Sequence, residues 1–144
     1  MPKLEYRSIW LSDIHLGSRD SKTEYLYDFL RNTESEYLYL VGDIIDMWKL
    51  RSRWHWPQAN NDILRLIMKK AGKGTRVVYV PGNHDELLRD FTELTFGGIE
   101  VAADRVHETA DGKRLLVLHG DQFDCVVMNS KWLAHIGSWA YDVS

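Results

Sequence analysis

The sequence predicts an α/β layered fold, with mixed β-sheets flanked by helices, and three observations carry that prediction. Apolar runs of strand length alternate with segments of helical period up to about residue 98. Beyond it the pattern changes to short strands joined by a turn signal. Four of the apolar runs end in a short polar cluster, the pattern expected where strands deliver side chains to one edge of a sheet.

The first strand is predicted over 6–12 and runs out into Ser-Asp-Ile-His-Leu-Gly at 12–17. A helix follows in TEYLYDFLRN at 23–32, where Tyr25, Leu26, Phe29 and Leu30 fall at helical spacing. The second strand, 37–42, leads into GDIIDMW, and the segment MWKLRSRWHWPQ at 47–58 is read as a loop insertion. A second helix is predicted in 60–74, with Ile63, Leu64, Ile67, Met68 and Ala71 on one side, Asn60 or Asn61 as cap, and Gly72 or Gly74 as stop. The third strand, 75–80, ends in Pro-Gly-Asn-His-Asp. Two further strands, 99–109 and 114–120, are joined at Asp111-Gly112, a hairpin signal, which makes this half antiparallel or mixed. In 126–140, Met128, Trp132, Ile136 and Trp139 stand three and four apart, an amphipathic helix interrupted by Gly137. The expected organisation is one core over 1–124 and the start of a helical segment, cut short, over 125–144.

Composition removes several classes of function. With 144 residues the chain buries roughly two-thirds of its unfolded surface and needs no covalent staple. Eighteen basic against 21 acidic residues give a formal net charge of -3, which makes no electrostatic case for nucleic acid. The single cysteine, Cys125, excludes an internal disulfide framework and suits the cytoplasm. No apolar stretch approaches the ~18 residues of a membrane span, and the N-terminus is too charged for a signal peptide.

The polar clusters carry the chemistry. Asp43 and Asp46 sit in an otherwise apolar run, and a buried carboxylate costs several kcal/mol unless a partner, proton or cation compensates it. Asp13 and His15 follow the first strand, Asn83 and His84 the third, and His119 the last. Carboxylate, imidazole and amide oxygen together suit Mn, Fe, Zn or Co better than Ca. One shared carboxylate and a mixed N/O set describe a two-metal site for displacement at phosphorus.

In order along the chain, Asp-x-His, Gly-Asp-x-x-Asp, Gly-Asn-His-Asp and a glycine-associated histidine at a strand end resemble the motifs of the calcineurin-like metallophosphoesterases, over about residues 8–124. The resemblance implies that family's layered fold and two divalent ions, manganese first among the choices. It also implies hydrolysis of a phosphoester or pyrophosphate bond by a hydroxide bridging the ions. By the same resemblance Asp43 bridges the metals, Asp13 and His15 hold the first, and Asn83 and His119 hold the second. His84 becomes the catalytic acid and Asp46 its partner, a role that also follows from the need to protonate a leaving group. Within the family, Ser12 to Gly17, Val41 to Trp48 and His119-Gly120-Asp121 are similar to the bacterial UDP-2,3-diacylglucosamine hydrolase-like branch, whose lipid A pathway enzymes carry arginine where this chain has His84. The implied substrate is a phosphorylated small molecule or nucleotide-lipid.

Arg51, Arg53, Trp54 and Trp56 are candidates to hold such a substrate by charge and stacking, or else form a solvated loop packed on the domain. The aromatic tail suits core packing, or contact with an acyl chain at the membrane's inner face. His55, His107 and His135 read as structural or surface residues, and Cys125 as an inert thiol. The family's closing Gly-His-x-His is absent after His119, which leaves each ion one protein ligand short and suggests an incomplete chain. The rival to an enzyme is a non-catalytic binding module on the same fold.

Overall fold

A computed structural model describes residues 3–92 and 94–119. Five strands form one sheet in the order β1-β2-β3-β5-β4, where β1 is Leu4–Leu11, β2 Thr33–Val41, β3 Arg76–Val80, β4 Thr95–Phe96 and β5 Ile99–Val101. β1, β2, β3 and β5 are parallel, and β4 closes the edge antiparallel to β5. A separate antiparallel pair, β6 (Arg105–Glu108) and β7 (Arg114–Val117), is the hairpin expected at Asp111-Gly112.

Strict alternation assigns the two faces of the large sheet. Leu38 and Leu40 of β2, Val77 and Tyr79 of β3, and Ile99 and Val101 of β5 point one way. They meet Leu30 of α1 (Thr23–Arg31) and Ile63 and Ile67 of α3 (Gln58–Gly72). Tyr39, Val41, Val78 and Val80 point the other way, onto Ala102 and onto Val117 of the β6–β7 hairpin. The order is therefore helices, large sheet, small sheet.

On the hairpin side, His107 of β6 is buried in a ring of aromatics. It lies edge-on to Trp10, Tyr37 and Tyr39 at centroid distances of 5.0–5.2 Å. The Arg7 guanidinium, which can only donate, stands 3.4 Å from Nε2, so Nδ1 carries the hydrogen and donates to the Tyr39 hydroxyl at 2.8 Å. Burial, followed by the Arg7 charge, pushes the His107 pKa below its ordinary value. The expectation of a structural role for His107 matches this packing.

Several local expectations are corrected. The segment 47–58 is not a plain loop: Asp46 accepts from Lys49 N at 3.0 Å and caps a helix, α2, Met47–Ser52. α3 starts at Gln58 after Pro57, so neither asparagine caps it. Asn60 is buried in the first turn, and Asn61 accepts from the Trp56 indole at 2.8 Å. On α1 the inward side chains are Leu26, Tyr27 and Leu30, while Tyr25 and Phe29 face solvent. The single strand expected over 99–109 is two, because the chain leaves the large sheet at Ala102 and enters the small one at Arg105. A 3-10 turn, Glu86–Phe91, and the short β4 carry no strong sequence signal. The helix expected over 125–144, and residues 120–124 of the expected core, lie outside the described residues.

Candidate metal centre

The carboxyl ends of β1, β2 and β3 lie side by side because those strands are parallel and in register, Leu11 opposite Leu40 and Val41 opposite Val80. The loops leaving them are laced together by backbone hydrogen bonds. Asp13 N donates to Gly42 O at 3.1 Å, His15 N to Asp43 O at 2.8 Å, and Leu16 N to Ile44 O at 2.7 Å. Three residues of these loops, Asp13, His15 and Asp43, hold left-handed φ of 54–56°. Such a conformation costs about 1–3 kcal/mol at a residue with a side chain, and it gathers at functional sites. Here three would-be ligands hold it.

Two glycines make room. A Cβ on Gly42 would sit 2.0 Å from His119 Cδ2, and one on Gly82 would sit 2.7 Å from Asp43 Oδ1 and 2.8 Å from His119 Nδ1. His119, two residues past β7, thereby reaches the cluster from the small sheet.

The expected ligands converge. His119 Nε2 lies 3.5 Å from Asp13 Oδ1 and 3.5 Å from Asp43 Oδ2, and His15 Nε2 lies 3.9 Å from Asp13 Oδ1. Asp13, His15 and Asp43 offer atoms within 4.8 Å of one another. The Asn83 amide completes the set: its terminal atom nearest Asp43 is 3.2 Å from both carboxylate oxygens. Set as oxygen, that atom faces two more oxygens with no hydrogen between them, an arrangement a cation makes favourable. Set as nitrogen, it donates to both. Two ligands of one ion at ~2.1 Å are themselves about 3.0–3.4 Å apart, close to the separations here. The donor set and spacing fit a divalent cation of intermediate hardness. Burial raises the Asp43 pKa, against the lowering effects of the His84 amide and the His119 charge.

Asp46 is 2% exposed and sits behind this cluster. Its Oδ2 accepts from His15 Nδ1 and its Oδ1 from His84 Nδ1, each at 2.9 Å. Burial pushes its carboxyl upward, but the His84, Lys49 and His15 bonds together hold it below the ordinary range. An ionised Asp46 therefore fixes the hydrogen on Nδ1 of both rings and leaves each Nε2 for other work. The partnership with His84 was expected; the second bond to His15 was not. Trp48, on α2, stacks on the His84 ring at 4.1 Å and joins the site unforeseen.

A second residue escaped the sequence reading. Asp85 is fully buried and accepts from Asp43 N at 3.1 Å, Ile44 N at 2.9 Å, Gly82 N at 2.5 Å and the Tyr79 hydroxyl. Burial, then the Asp85 charge, pushes the Tyr79 phenol well above its ordinary value, so it remains a donor. The available signal was a tyrosine in an otherwise aliphatic strand, whose buried hydroxyl needed a partner.

The residues expected to hold substrate divide. Arg51 stands exposed on α2, and Arg53 and Trp54 are exposed just after it. Trp56 packs against the helical core and donates to Asn61. Among the described residues, no helix is long and apolar enough to cross a membrane.

The chain is 32% identical over 119 residues to a UDP-2,3-diacylglucosamine hydrolase of Neisseria gonorrhoeae, covering 79% of this chain and 48% of that protein. It is 29% identical over 122 residues to the enzyme of the same name from Aliivibrio fischeri, and 28% identical over 139 residues to that of Blochmanniella pennsylvanica. These cover 78% and 89% of this chain and 47% and 53% of the relatives, so the chain spans about half the length of the curated relatives it matches. A family model described as calcineurin-like phosphoesterase matches residues 6–139. That span holds every strand end that feeds the cluster, and the chain belongs to the calcineurin-like phosphoesterase family.

Proposed function

We propose that this chain carries the metal centre of a metal-dependent phosphoesterase that hydrolyses a phosphoester or pyrophosphate bond. The observation that carries the reading is the convergence of Asp13, His15, Asp43, Asn83 and His119 beside a histidine held by its own carboxylate. Asp13, His15 and Asp43 would hold one divalent ion, and Asp43, Asn83 and His119 a second, with Mn2+ the first candidate. Bound there, the ions would supply Lewis-acid polarisation of the phosphoryl oxygens and acidify water.

The protein's own groups do the remainder. Asp46 keeps His84 oriented, and His84 gives the leaving oxygen a proton from Nε2. Trp48 limits the ring to one plane. Arg51, Arg53 and Trp54, exposed along α2 and after it, offer charge and a stacking surface to an anionic diphosphate with a flat base. The relatives' name makes a UDP-diacylglucosamine-like nucleotide-lipid the first substrate to try, with the enzyme working in the cytoplasm at the inner membrane face. A non-catalytic module would have no use for His84 held at 2.9 Å from Asp46.

The test is turnover of a panel of phosphomonoesters, diesters, nucleotide sugars and UDP-acylated glucosamine by the full-length protein and His84→Ala. The proposal expects a preference for the acylated nucleotide and a loss of roughly 10²–10⁴-fold with His84→Ala on poor leaving groups, metal content unchanged. Equal rates across the panel would defeat the substrate reading. Loss of metal with His84→Ala would defeat its role as acid.

A further inference from the structure

We infer that Asp85 and Tyr79 form a positioning pair that holds Asp43 in its left-handed conformation and so sets the affinity of the metal centre; this rests on the reading of Asp43 as the shared ligand. Asp85 is not a ligand candidate itself. Both of its oxygens are taken by four donors, Asp43 N, Ile44 N, Gly82 N and the Tyr79 hydroxyl, and its side chain makes no cap bond to the 3-10 turn that follows it. A fully buried carboxylate with no work at its own position is explained by the loop it grips.

The grip is continuous. The amides of Asp43 and Ile44 point at Asp85, and the next amide, Ile45 N, donates to the Tyr79 hydroxyl at 3.2 Å, which in turn donates to Asp85. Successive N–H groups after Gly42 at φ 70° and Asp43 at φ 54° form a concavity of the kind that binds anions, and here the anion is the protein's own side chain. The other atoms of Asp43 are committed as well: its carbonyl accepts from His15 N at 2.8 Å and its Oδ1 from His84 N at 2.8 Å. Its Oδ2 is turned toward His119. Because Asp85 also holds Gly82, one carboxylate fixes the β2 and β3 loops relative to each other, and a shared ligand needs that registry.

Asp85→Asn keeps the shape but places an NH2 among four donors, so at least one donor loses its acceptor. The expected result is Mn2+ affinity lower by about tenfold or more in calorimetry, the range seen when groups supporting a ligand are lost. Turnover should recover as Mn2+ is raised, which a generally weakened fold would not allow. Amides of Asp43, Ile44 and Gly82 should exchange faster while those of Ile63 and Ile67 do not change. Tyr79→Phe, which leaves the ring in the core and removes one hydrogen bond of modest net worth, should weaken Mn2+ binding by about threefold and speed exchange at Ile45. It decides the matter alone if Asp85→Asn does not fold. Mn2+ affinity equal to wild type in the folded variants, or exchange accelerated evenly across the core, would overturn the inference. A wild-type chain that took up no Mn2+ would instead overturn the metal reading, and exchange at Asp43 and Ile44 would still decide whether Asp85 holds that loop.

Discussion

Replacing Asp46 by asparagine tests how one carboxylate serves two imidazoles. In the wild type each oxygen accepts from a different Nδ1 at 2.9 Å, from His15 and from His84. An asparagine of the same shape has one oxygen and one NH2, so it accepts from one ring and must donate to the other. The ring that receives that hydrogen bond carries its own hydrogen on Nε2 instead. If that ring is His15, it loses the lone pair that would bind metal; if it is His84, it loses the carboxylate that orients it for proton transfer. A hydrogen bond to a buried charge is worth ~1.5–3 kcal/mol, and at 1.36 kcal/mol per factor of ten its loss corresponds to roughly 10- to 150-fold. Asp46→Asn should therefore lose that factor in Mn2+ affinity, by calorimetry, or in turnover of a substrate with a poor leaving group. Asp46→Ala, which also removes the cap of α2, should lose stability besides. A folded Asp46→Asn within twofold of wild type in both assays would refute the shared role.

Other outcomes follow from packing and charge. Gly42→Ala combines φ 70° with a Cβ 2.0 Å from His119, and should destabilise the chain by about 1–3 kcal/mol in urea and weaken Mn2+ binding with it. The folded pKa of His107 lies below its unfolded value near ~6.5, so between the two the unfolded state holds more protons. Stability should fall as pH drops from that value through the folded pKa, and His107→Gln should flatten this slope in urea melts at pH 7 and pH 5. Ile67→Ala, at a fully buried position between α3 and the sheet, should cost ~2–5 kcal/mol without altering metal affinity per folded molecule.

The parts of the fold legible in the sequence were those where one periodicity acts alone. Leu38, Leu40, Val77 and Tyr79 alternate with Tyr39, Val41, Val78 and Val80, and both sets are buried because the sheet is covered on both sides. α2 was not legible, because Asp46 was read as a catalytic group, and its second office as helix cap hid behind that. The cluster was legible as types and order. Asp13 and Asp43 each stand 3.5 Å from His119 in space, as their strand ends implied. What sequence could not give is the geometry behind them: that Asp46 reaches His15 as well as His84, that Trp48 lies on the His84 ring, and that Asp85 turns away from the metal side to hold the amides of Asp43 and Ile44. The loops around them also hold left-handed torsions at Asp13, His15 and Asp43 that residue order does not announce.

The most direct test of the metal centre is Mn2+ stoichiometry of the wild-type chain beside Asp13→Ala and Asp43→Ala, by calorimetry with metal analysis. In the proposed ligand sets Asp43 is shared by both ions, so its loss should remove uptake of both, whereas loss of Asp13 should remove one and spare the other. An Asp43→Ala chain that still binds one ion with wild-type affinity would contradict the shared ligand on which the account depends.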